Sequence, residues 1–180
     1  QGKPSVQPLH GGLSNANYLV QDEAGKHVVR FGHDYPFHHV FRDREVMVAR
    51  AAHAAGFAPE VQHAATGVMV SQFLGAKTYD AASVRENAPR IGSLLRAFHT
   101  RMAAGITGPG FMFWVFHVIR DYAYQLRAGG AGAAPDLDRW TAEANAMERL
   151  QVPLPIVFAH NDLLPANFLD DGRKIWLIDF

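Results

Sequence analysis

His160-Asn161-Asp162-Leu163-Leu164-Pro165-Ala166-Asn167 and the later Ile178-Asp179-Phe180 are the most informative stretches of this chain. Two apolar runs, residues 168–169 and 175–178, lie between them, separated by a short loop that contains Asp-Gly. This arrangement predicts a β-hairpin. The hairpin would bring Asp179 back beside Asn167, so that both side chains could reach one metal ion. The apolar run 156–159 predicts a buried strand or turn that leads into the loop.

The polar residues of these stretches stand in the order that ATP-dependent phosphoryl transfer requires. In that chemistry an aspartate orients the attacking hydroxyl and accepts its proton, while an asparagine and a second aspartate hold magnesium on the ATP phosphates. Asp162, Asn167 and Asp179 occupy these positions, which predicts Asp162 as the catalytic residue and the other two as metal ligands. A plain turn with Asx hydrogen bonds is the alternative, but the full order of loop, hairpin and aspartate favours phosphoryl transfer.

The run from His160 to Asn167 resembles the H-x-D-x-x-x-x-N loop of the choline/ethanolamine kinase and aminoglycoside phosphotransferase group, within the kinase-like superfamily. A protein kinase would have Arg at Asn161 and Lys at Leu164 instead. The resemblance covers residues 11–180. It implies a C-terminal lobe that continues past Phe180, so we expect the natural chain to be longer, and Gln1 looks like a trimmed start.

The hydrophobic pattern predicts three strands, a helix and two further strands in the first part of the chain. The strands fall at residues 5–9, 17–21, 27–31, 61–63 and 68–73, and the helix at 42–55. Three more helices follow: one carries the stripe Ile91, Leu94, Leu95, Phe98 and Met102, and the others span 113–127 and 136–150. We therefore predict an α+β, two-lobed, protein-kinase-like fold. Residues 1–74 form a nucleotide-binding lobe, and residues 75–180 form a mainly helical catalytic lobe, incomplete at its C-terminal end.

The glycine-rich segment between the first two strands is a candidate phosphate loop. Gly11 and Gly12 would allow close approach of the backbone to phosphate oxygens, and Ser14 and Asn15 can donate hydrogen bonds to them. On physical grounds alone, a simple hairpin turn is an equal alternative. The sequence Gly-Gly-Leu-Ser-Asn resembles the phosphate loop of choline-kinase-like proteins, and the resemblance implies nucleotide binding.

Further nucleotide contacts are predicted by position. Arg30 lies on the third strand, where kinases place a phosphate-binding lysine, and Glu45 lies one turn into the next helix, where the orienting carboxylate belongs. A surface arginine with an unrelated glutamate is the alternative. Residues Gln72, Phe73 and Leu74 lie at the expected hinge before Gly75, where the ATP adenine would bind. His160 is predicted to brace the catalytic loop, since Asp162 already fills the role of the base.

The composition limits the binding partners, the location and the function that the chain can have. Lys plus Arg and Asp plus Glu are 17 each, so no net field favours nucleic acid. The chain has no cysteine and no apolar run long enough to span a membrane, which favours a cytoplasmic protein. With ATP and magnesium as cofactors, we expect a small-molecule kinase. Its acceptor is choline or ethanolamine, with an aminoglycoside or other sugar-alcohol kinase as the alternative. A nucleotide-binding module without turnover, of the pseudokinase type, is the alternative from another class.

Overall fold

The structure is a computed structural model that describes residues 2–9, 15–108, 111–130 and 134–180. The chain divides into two compact units. The first unit consists of Gln1–Thr107 together with Val157–Phe180, and the second is Gly108–Ile156. The predicted lobe boundary between residues 74 and 75 falls inside the first unit and stays a prediction.

A five-stranded antiparallel sheet forms the first part of the first unit, in the order β1-β2-β3-β5-β4. Its strands are β1 (Ser5–Leu9), β2 (Ala16–Asp22), β3 (Gly25–Phe31), β4 (Val61–Ala65) and β5 (Val68–Gln72). The turn between β2 and β3 is closed by Asp22, whose Oδ1 accepts hydrogen bonds from the N–H groups of Ala24 at 2.8 Å and Gly25 at 3.1 Å. This places Asn17 directly opposite Arg30. All five predicted strands are confirmed.

Helix α1 (Arg42–Ala54) connects β3 to β4, as predicted. The helix begins where Asp34 Oδ1 accepts the backbone N–H of Arg42 at 2.8 Å, and it ends before Gly56, whose φ is +80°. The buried residues of α1 are Glu45, Ala49 and Ala52, which share one face at spacings of four and three. A carboxylate on the buried face of a helix needs a charged partner, because an unpaired buried charge is costly.

The remaining elements of the first unit surround an apolar core. They are β6 (Lys77–Thr78), α2 (Ala81–Glu86), α3 (Ala88–Arg101), β7 (Phe168–Asp170) and β8 (Ile175–Leu177). The last two strands form the predicted hairpin, and β6 pairs with β7 to give a three-stranded sheet. The predicted stripe faces the core: Phe98 of α3 and Met102, which directly follows α3, are almost completely buried in one cluster with Leu177.

The second unit contains α4 (Val115–Ala128) and α5 (Ala134–Glu148). Glu148 of α5 connects the two helices. It accepts hydrogen bonds from Trp114 Nε1 at 2.5 Å, directly before α4, and from Arg120 Nη1 of α4 at 2.6 Å. Both helices match the predicted ones to within two residues at each end. Within the described part of the chain, no helix is long and apolar enough to cross a membrane.

The segment before the catalytic loop differs from its prediction. Residues 156–159 form no regular strand, and Ile156 and Val157 are 81% and 45% exposed. Only the second half of the run packs inward, with the Phe158 ring 6.0 Å from that of Phe98. An apolar run alone does not show which of its side chains will find a core to enter, so the predicted burial is wrong for its first half.

Candidate active site

The predicted catalytic loop, residues 160–167, is held in place by His160, which is buried. Its Nε2–H donates to the carbonyl of Ile178 at 2.9 Å, and its Nδ1 accepts the backbone N–H of Asp162 at 3.3 Å. Burial lowers the pKa of His160 and outweighs the opposite effect of the hydrogen bond to Ile178. The side chain is therefore a neutral brace between the loop and the strand that leads to Asp179. This contact pattern is the one expected for a supporting residue.

Asn167 connects the loop to the hairpin. Its Nδ2 donates to the carbonyl of Asp162 at 2.8 Å, and its own carbonyl accepts the N–H of Ile178 at 3.2 Å. The second contact shows that the hairpin returns residues 178–179 to Asn167, as predicted. Asp162 itself lies exposed at the head of the loop. Its carboxylate is thus accessible, while its backbone is held at both ends.

Arg30 joins residues that are far apart in the sequence. It donates a hydrogen bond to Glu45 Oε1 and, from the same nitrogen, one to Asp179 Oδ1 at 2.7 Å. Its Nε donates to Asn17 Oδ1 at 3.3 Å. Asp179 has a φ of +66°, a left-handed conformation that aspartate tolerates better than most residues. The structure therefore brings Arg30, Glu45 and Asp179 together in the first unit, which also contains Asp162 and Asn167.

Arg42 also contacts Glu45, and sequence reasoning missed it. Its Nη1 donates to Glu45 Oε2 at 2.6 Å, and its Nε donates to the carbonyl of His33 at 2.9 Å. The available signal was the spacing of three residues between Arg42 and Glu45, which places opposite charges side by side on a helix.

Aromatic rings pack against His160 and thereby support the loop. The ring of Phe98 lies 6.4 Å from that of His160 and 6.0 Å from that of Phe180, with which it is nearly parallel. Phe180 also lies 5.0 Å from His160. The periodicity of α3 predicted Phe98 as a core residue, but it could not show that the catalytic loop is part of the same core.

The predicted nucleotide-binding residues are described in part. Gly11, Gly12 and Ser14 lie outside the described residues. Asn15 is half-buried and lies against Gly32, since a Cβ on Gly32 would be 2.4 Å from Asn15 Oδ1.

At the predicted hinge, two amides are already used by the protein. The N–H of Gln72 donates to Glu60 at 2.9 Å, and that of Phe73 donates to Lys26 at 3.2 Å. The carbonyl of Leu74 accepts the N–H of Ala76 at 2.9 Å. Any adenine contact at this segment must therefore use other backbone groups than the amides of Gln72 and Phe73.

The predicted metal ligands fit a hard cation by their chemistry. Asn167 and Asp179 offer carboxamide and carboxylate oxygens, which Mg²⁺ prefers. The amide nitrogen of Asn167 is engaged by Asp162, which leaves its oxygen as the atom suited to a cation. Among the residues described, no three His, Cys, Asp or Glu side chains converge as a metal site. Magnesium here would complete its coordination with phosphate oxygens and water, as it commonly does.

Comparison with known proteins gives the family. The model of the phosphotransferase enzyme family matches residues 5–180. The chain therefore belongs to this family. It is 28% identical to a probable ethanolamine kinase of Arabidopsis thaliana over 98% of this chain and 51% of that protein.

Solved structures show the same fold. One is a choline/ethanolamine kinase family protein from Mesorhizobium loti, with a TM-score of 0.70 and 31% identity over 97% of this chain and 57% of the other. Another is a spectinomycin phosphotransferase solved with ADP and spectinomycin, with a TM-score of 0.57 and 13% identity over 97% of this chain and 62% of the other. The predicted kinase-like α+β fold is confirmed. The chain spans about half the length of the curated relative.

Proposed function

We propose that this protein transfers the γ-phosphoryl group of ATP, with magnesium, to a hydroxyl group of a small molecule. The family supports phosphoryl transfer. The observation that carries the proposal is the contact of Arg30 with both Glu45 and Asp179. It joins a cationic group suited to phosphate and a carboxylate suited to magnesium, in the unit that also presents Asp162.

In the proposed reaction, Asp162 orients the acceptor hydroxyl and accepts its proton. The hydroxyl oxygen forms a bond to the γ-phosphorus, and the bond from that phosphorus to the ADP oxygen breaks. Arg30, held by Glu45, pairs with the phosphates. Asn167 and Asp179 would hold magnesium, which neutralises the charge of the phosphates when it is bound. His160 keeps the loop in place as a neutral side chain.

The remaining nucleotide contacts follow the same template. Gly11, Gly12, Ser14 and Asn15 would form the phosphate loop. The segment Gln72-Phe73-Leu74 would contact adenine through the backbone groups that the sheet leaves accessible. Both assignments rest on position relative to the kinase template.

The acceptor we propose is choline or ethanolamine. The names of two relatives, a probable ethanolamine kinase and a choline/ethanolamine kinase family protein, support this choice. An aminoglycoside is the second candidate, because the spectinomycin phosphotransferase has the same fold.

The test is ADP release in the presence of Mg-ATP and a panel of alcohols, for the wild type and for Asp162→Asn. We expect the substitution to lower turnover by about 10²–10⁴-fold, the usual range for a positioned acid or base, with little change in nucleotide affinity. Near-normal turnover in a folded Asp162→Asn protein would remove Asp162 from this role. Nucleotide binding without ADP release with any acceptor would favour a binding module instead.

A further inference from the structure

Arg42 is held more firmly than its position in the first turn of a helix requires. Its backbone N–H donates to Asp34, its Nε donates to the carbonyl of His33, and its Nη1 donates to Glu45. The guanidinium is planar, so contacts at Nε and Nη1 fix the orientation of the whole group. Its side chain is only 15% exposed. Arg42 is therefore a rigid part of the site and not a solvated surface arginine.

Arg42 begins a row of alternating charges. The row runs from Arg42 to Glu45, then to Arg30 and to Asp179. Glu45 is the most enclosed member, with a side chain 6% exposed, and each of its oxygens has a different guanidinium as partner. A carboxylate held through both oxygens cannot turn, whereas one held through a single oxygen can. Arg42 thereby sets the direction in which Glu45 Oε1 faces Arg30.

The other end of the row is open. The side chain of Asp179 is 36% exposed, against 14% for Arg30. Asp179 is therefore the accessible partner of Arg30, while the contact of Arg30 with Glu45 is enclosed. An incoming anion that replaced Asp179 would meet Arg30 in a defined position only if Glu45 did not move with Arg30.

Gly32 links Arg42 to the predicted phosphate loop. A Cβ at Gly32 would lie 3.0 Å from Arg42 Nε and 2.4 Å from Asn15 Oδ1. Both side chains thus rest against the bare backbone of Gly32. Gly32 therefore has a residue of the predicted loop and Arg42 as close neighbours.

We propose that Arg42 is a positioning residue, which holds Glu45 Oε2 so that Glu45 Oε1 keeps Arg30 in place when Arg30 exchanges Asp179 for a phosphate. This proposal rests on the proposed function, which makes that phosphate part of ATP. Arg42 touches neither nucleotide nor acceptor in this role and acts through Glu45. A merely structural Arg42 would stabilise the start of α1 without affecting the contact between Glu45 and Arg30.

The first experiment needs no nucleotide. Urea unfolding of the wild type, Arg30→Gln, Glu45→Gln and the double variant gives the coupling between Arg30 and Glu45. The same cycle is then measured with Arg42→Gln, and with Arg50→Gln as the matched control, since Arg50 is an exposed arginine of the same helix. We expect the coupling to be lost with Arg42→Gln and kept with Arg50→Gln. An unchanged coupling in both backgrounds would overturn the proposal. If Arg42→Gln does not fold, Arg42→Lys replaces it, because lysine keeps the charge but cannot form the two hydrogen bonds that the guanidinium makes through Nε and Nη1.

The second experiment measures steady-state kinetics. We expect Arg42→Gln to raise KM for ATP by about tenfold, the scale of one hydrogen bond to a charged group, without changing KM for the acceptor. Arg42→Lys should restore only part of the affinity, and Arg50→Gln should match the wild type. Combining Arg42→Gln with Glu45→Gln should give the KM of Glu45→Gln alone. An unchanged KM for ATP in Arg42→Gln would also overturn the proposal. Absence of phosphoryl transfer in the wild type would reject the proposed function, while the unfolding cycle would still decide the role of Arg42.

Discussion

At the scale of single residues, Asp179 and Glu45 both contact Arg30 but have different proposed roles in ATP binding. Under the proposed function, Asp179 binds magnesium, so Asp179→Ala should abolish the part of ATP binding that depends on magnesium. Glu45 only orients Arg30, so Glu45→Ala should weaken binding without removing its dependence on magnesium. Isothermal calorimetry with ATP, with and without magnesium, separates the two. Unchanged Mg-ATP affinity in both variants would mean that the nucleotide binds elsewhere.

Gly32 gives a second prediction at this scale. A methyl group there would lie 2.4 Å from Asn15 Oδ1 and 3.0 Å from Arg42 Nε, so that Gly32→Ala must displace both side chains. We expect Gly32→Ala to lower both the stability and the affinity for Mg-ATP. Gly92→Ala is the control, because Gly92 lies in α3 with open space around it. That change should stabilise the protein by about 0.5–1 kcal/mol, since alanine is the better helix residue. Equal effects of the two substitutions would contradict the crowding at Gly32.

The kinase template fixes the order of several residues along the chain, and from it the sequence predicted that Arg30 and Glu45 act together. The structure shows their contact and adds Asp179 as a second partner of Arg30. The roles of these residues stay predictions. For Arg42 the sequence offered only its spacing of three residues from Glu45, whereas its hydrogen bond to the carbonyl of His33 depends on the tertiary fold. The stacking of Phe180 on Phe98 could not be predicted from the sequence either. Hydrophobic periodicity identifies a buried ring but not the ring it meets.

At the scale of elements, one network joins α3 to β7. Asp170 accepts hydrogen bonds from Arg90 Nη1 and from the Tyr79 hydroxyl, both at 2.6 Å. The Arg90 guanidinium, followed by the Tyr79 hydroxyl, holds the pKa of Asp170 well below its usual range. Burial, aided by Asp170, raises the pKa of Tyr79 to about 12. The network therefore favours an ionised Asp170 and a protonated Tyr79 in the folded protein.

The stability of the protein should depend on pH through this network, with opposite signs at its two ends. Because the pKa of Asp170 is lowered by folding, its contribution is complete above the unfolded value of about 3.9 and is lost as the pH falls below it. Because the pKa of Tyr79 is raised, its contribution is complete below about pH 10 and is lost as the pH rises toward 12. Asp170→Asn should cost about 1–3 kcal/mol near pH 7, and this difference from the wild type should shrink in acid.

Urea unfolding of Asp170→Asn and of the wild type at several pH values measures the effect. Asp138→Asn is the control, because Asp138 forms an ion pair with Arg127 at 2.5 Å but is 83% exposed. Exposed pairs contribute little, so this variant should follow the wild type at every pH. A cost for Asp170→Asn that stays constant from neutral pH down to pH 2 would contradict the assignment.

Element boundaries were the part of the fold that the sequence predicted best. The strand 5–9 is reproduced without change. The segment 156–159 was less predictable. Its four apolar residues suggest a buried strand, but only Phe158 reaches the ring of Phe98. Whether an apolar run is buried depends on tertiary partners that the local sequence does not contain.

At the scale of the whole molecule, the candidate site is assembled from both ends of the sequence. Arg30 and Glu45 belong to the first third of the chain, whereas Asp162 and Asp179 belong to its last part, and all lie in one compact unit. The family resemblance made this convergence predictable, because it fixes the order of elements. The identity of the acceptor could not be predicted in the same way, because it depends on the surface around Asp162 and not on the order of the site residues along the chain.

The acceptor prediction follows from the physical difference between the two candidate classes. A quaternary ammonium is recognised by aromatic faces, each worth about 0.5–2 kcal/mol, and a small amino alcohol fits a compact pocket. An aminoglycoside carries several ammonium groups and needs several carboxylates to pair with them. The side chains that follow Asp162 are Leu163 and Leu164, both exposed and apolar, and they offer no such carboxylates.

We therefore expect kcat/KM to be higher for choline or ethanolamine than for kanamycin under identical Mg-ATP conditions. A reaction of the wild type without acceptor corrects for ATP hydrolysis that does not depend on the acceptor. Choline favoured over ethanolamine would indicate an aromatic pocket for the methylated ammonium, since the two acceptors share their hydroxyl and differ in the methyl groups. The reverse order would indicate hydrogen bonding to the primary ammonium instead. A clear preference for kanamycin would overturn the choice of acceptor and leave the proposed phosphoryl transfer standing, because Asp162, Asn167 and Asp179 would have the same proposed roles with either class.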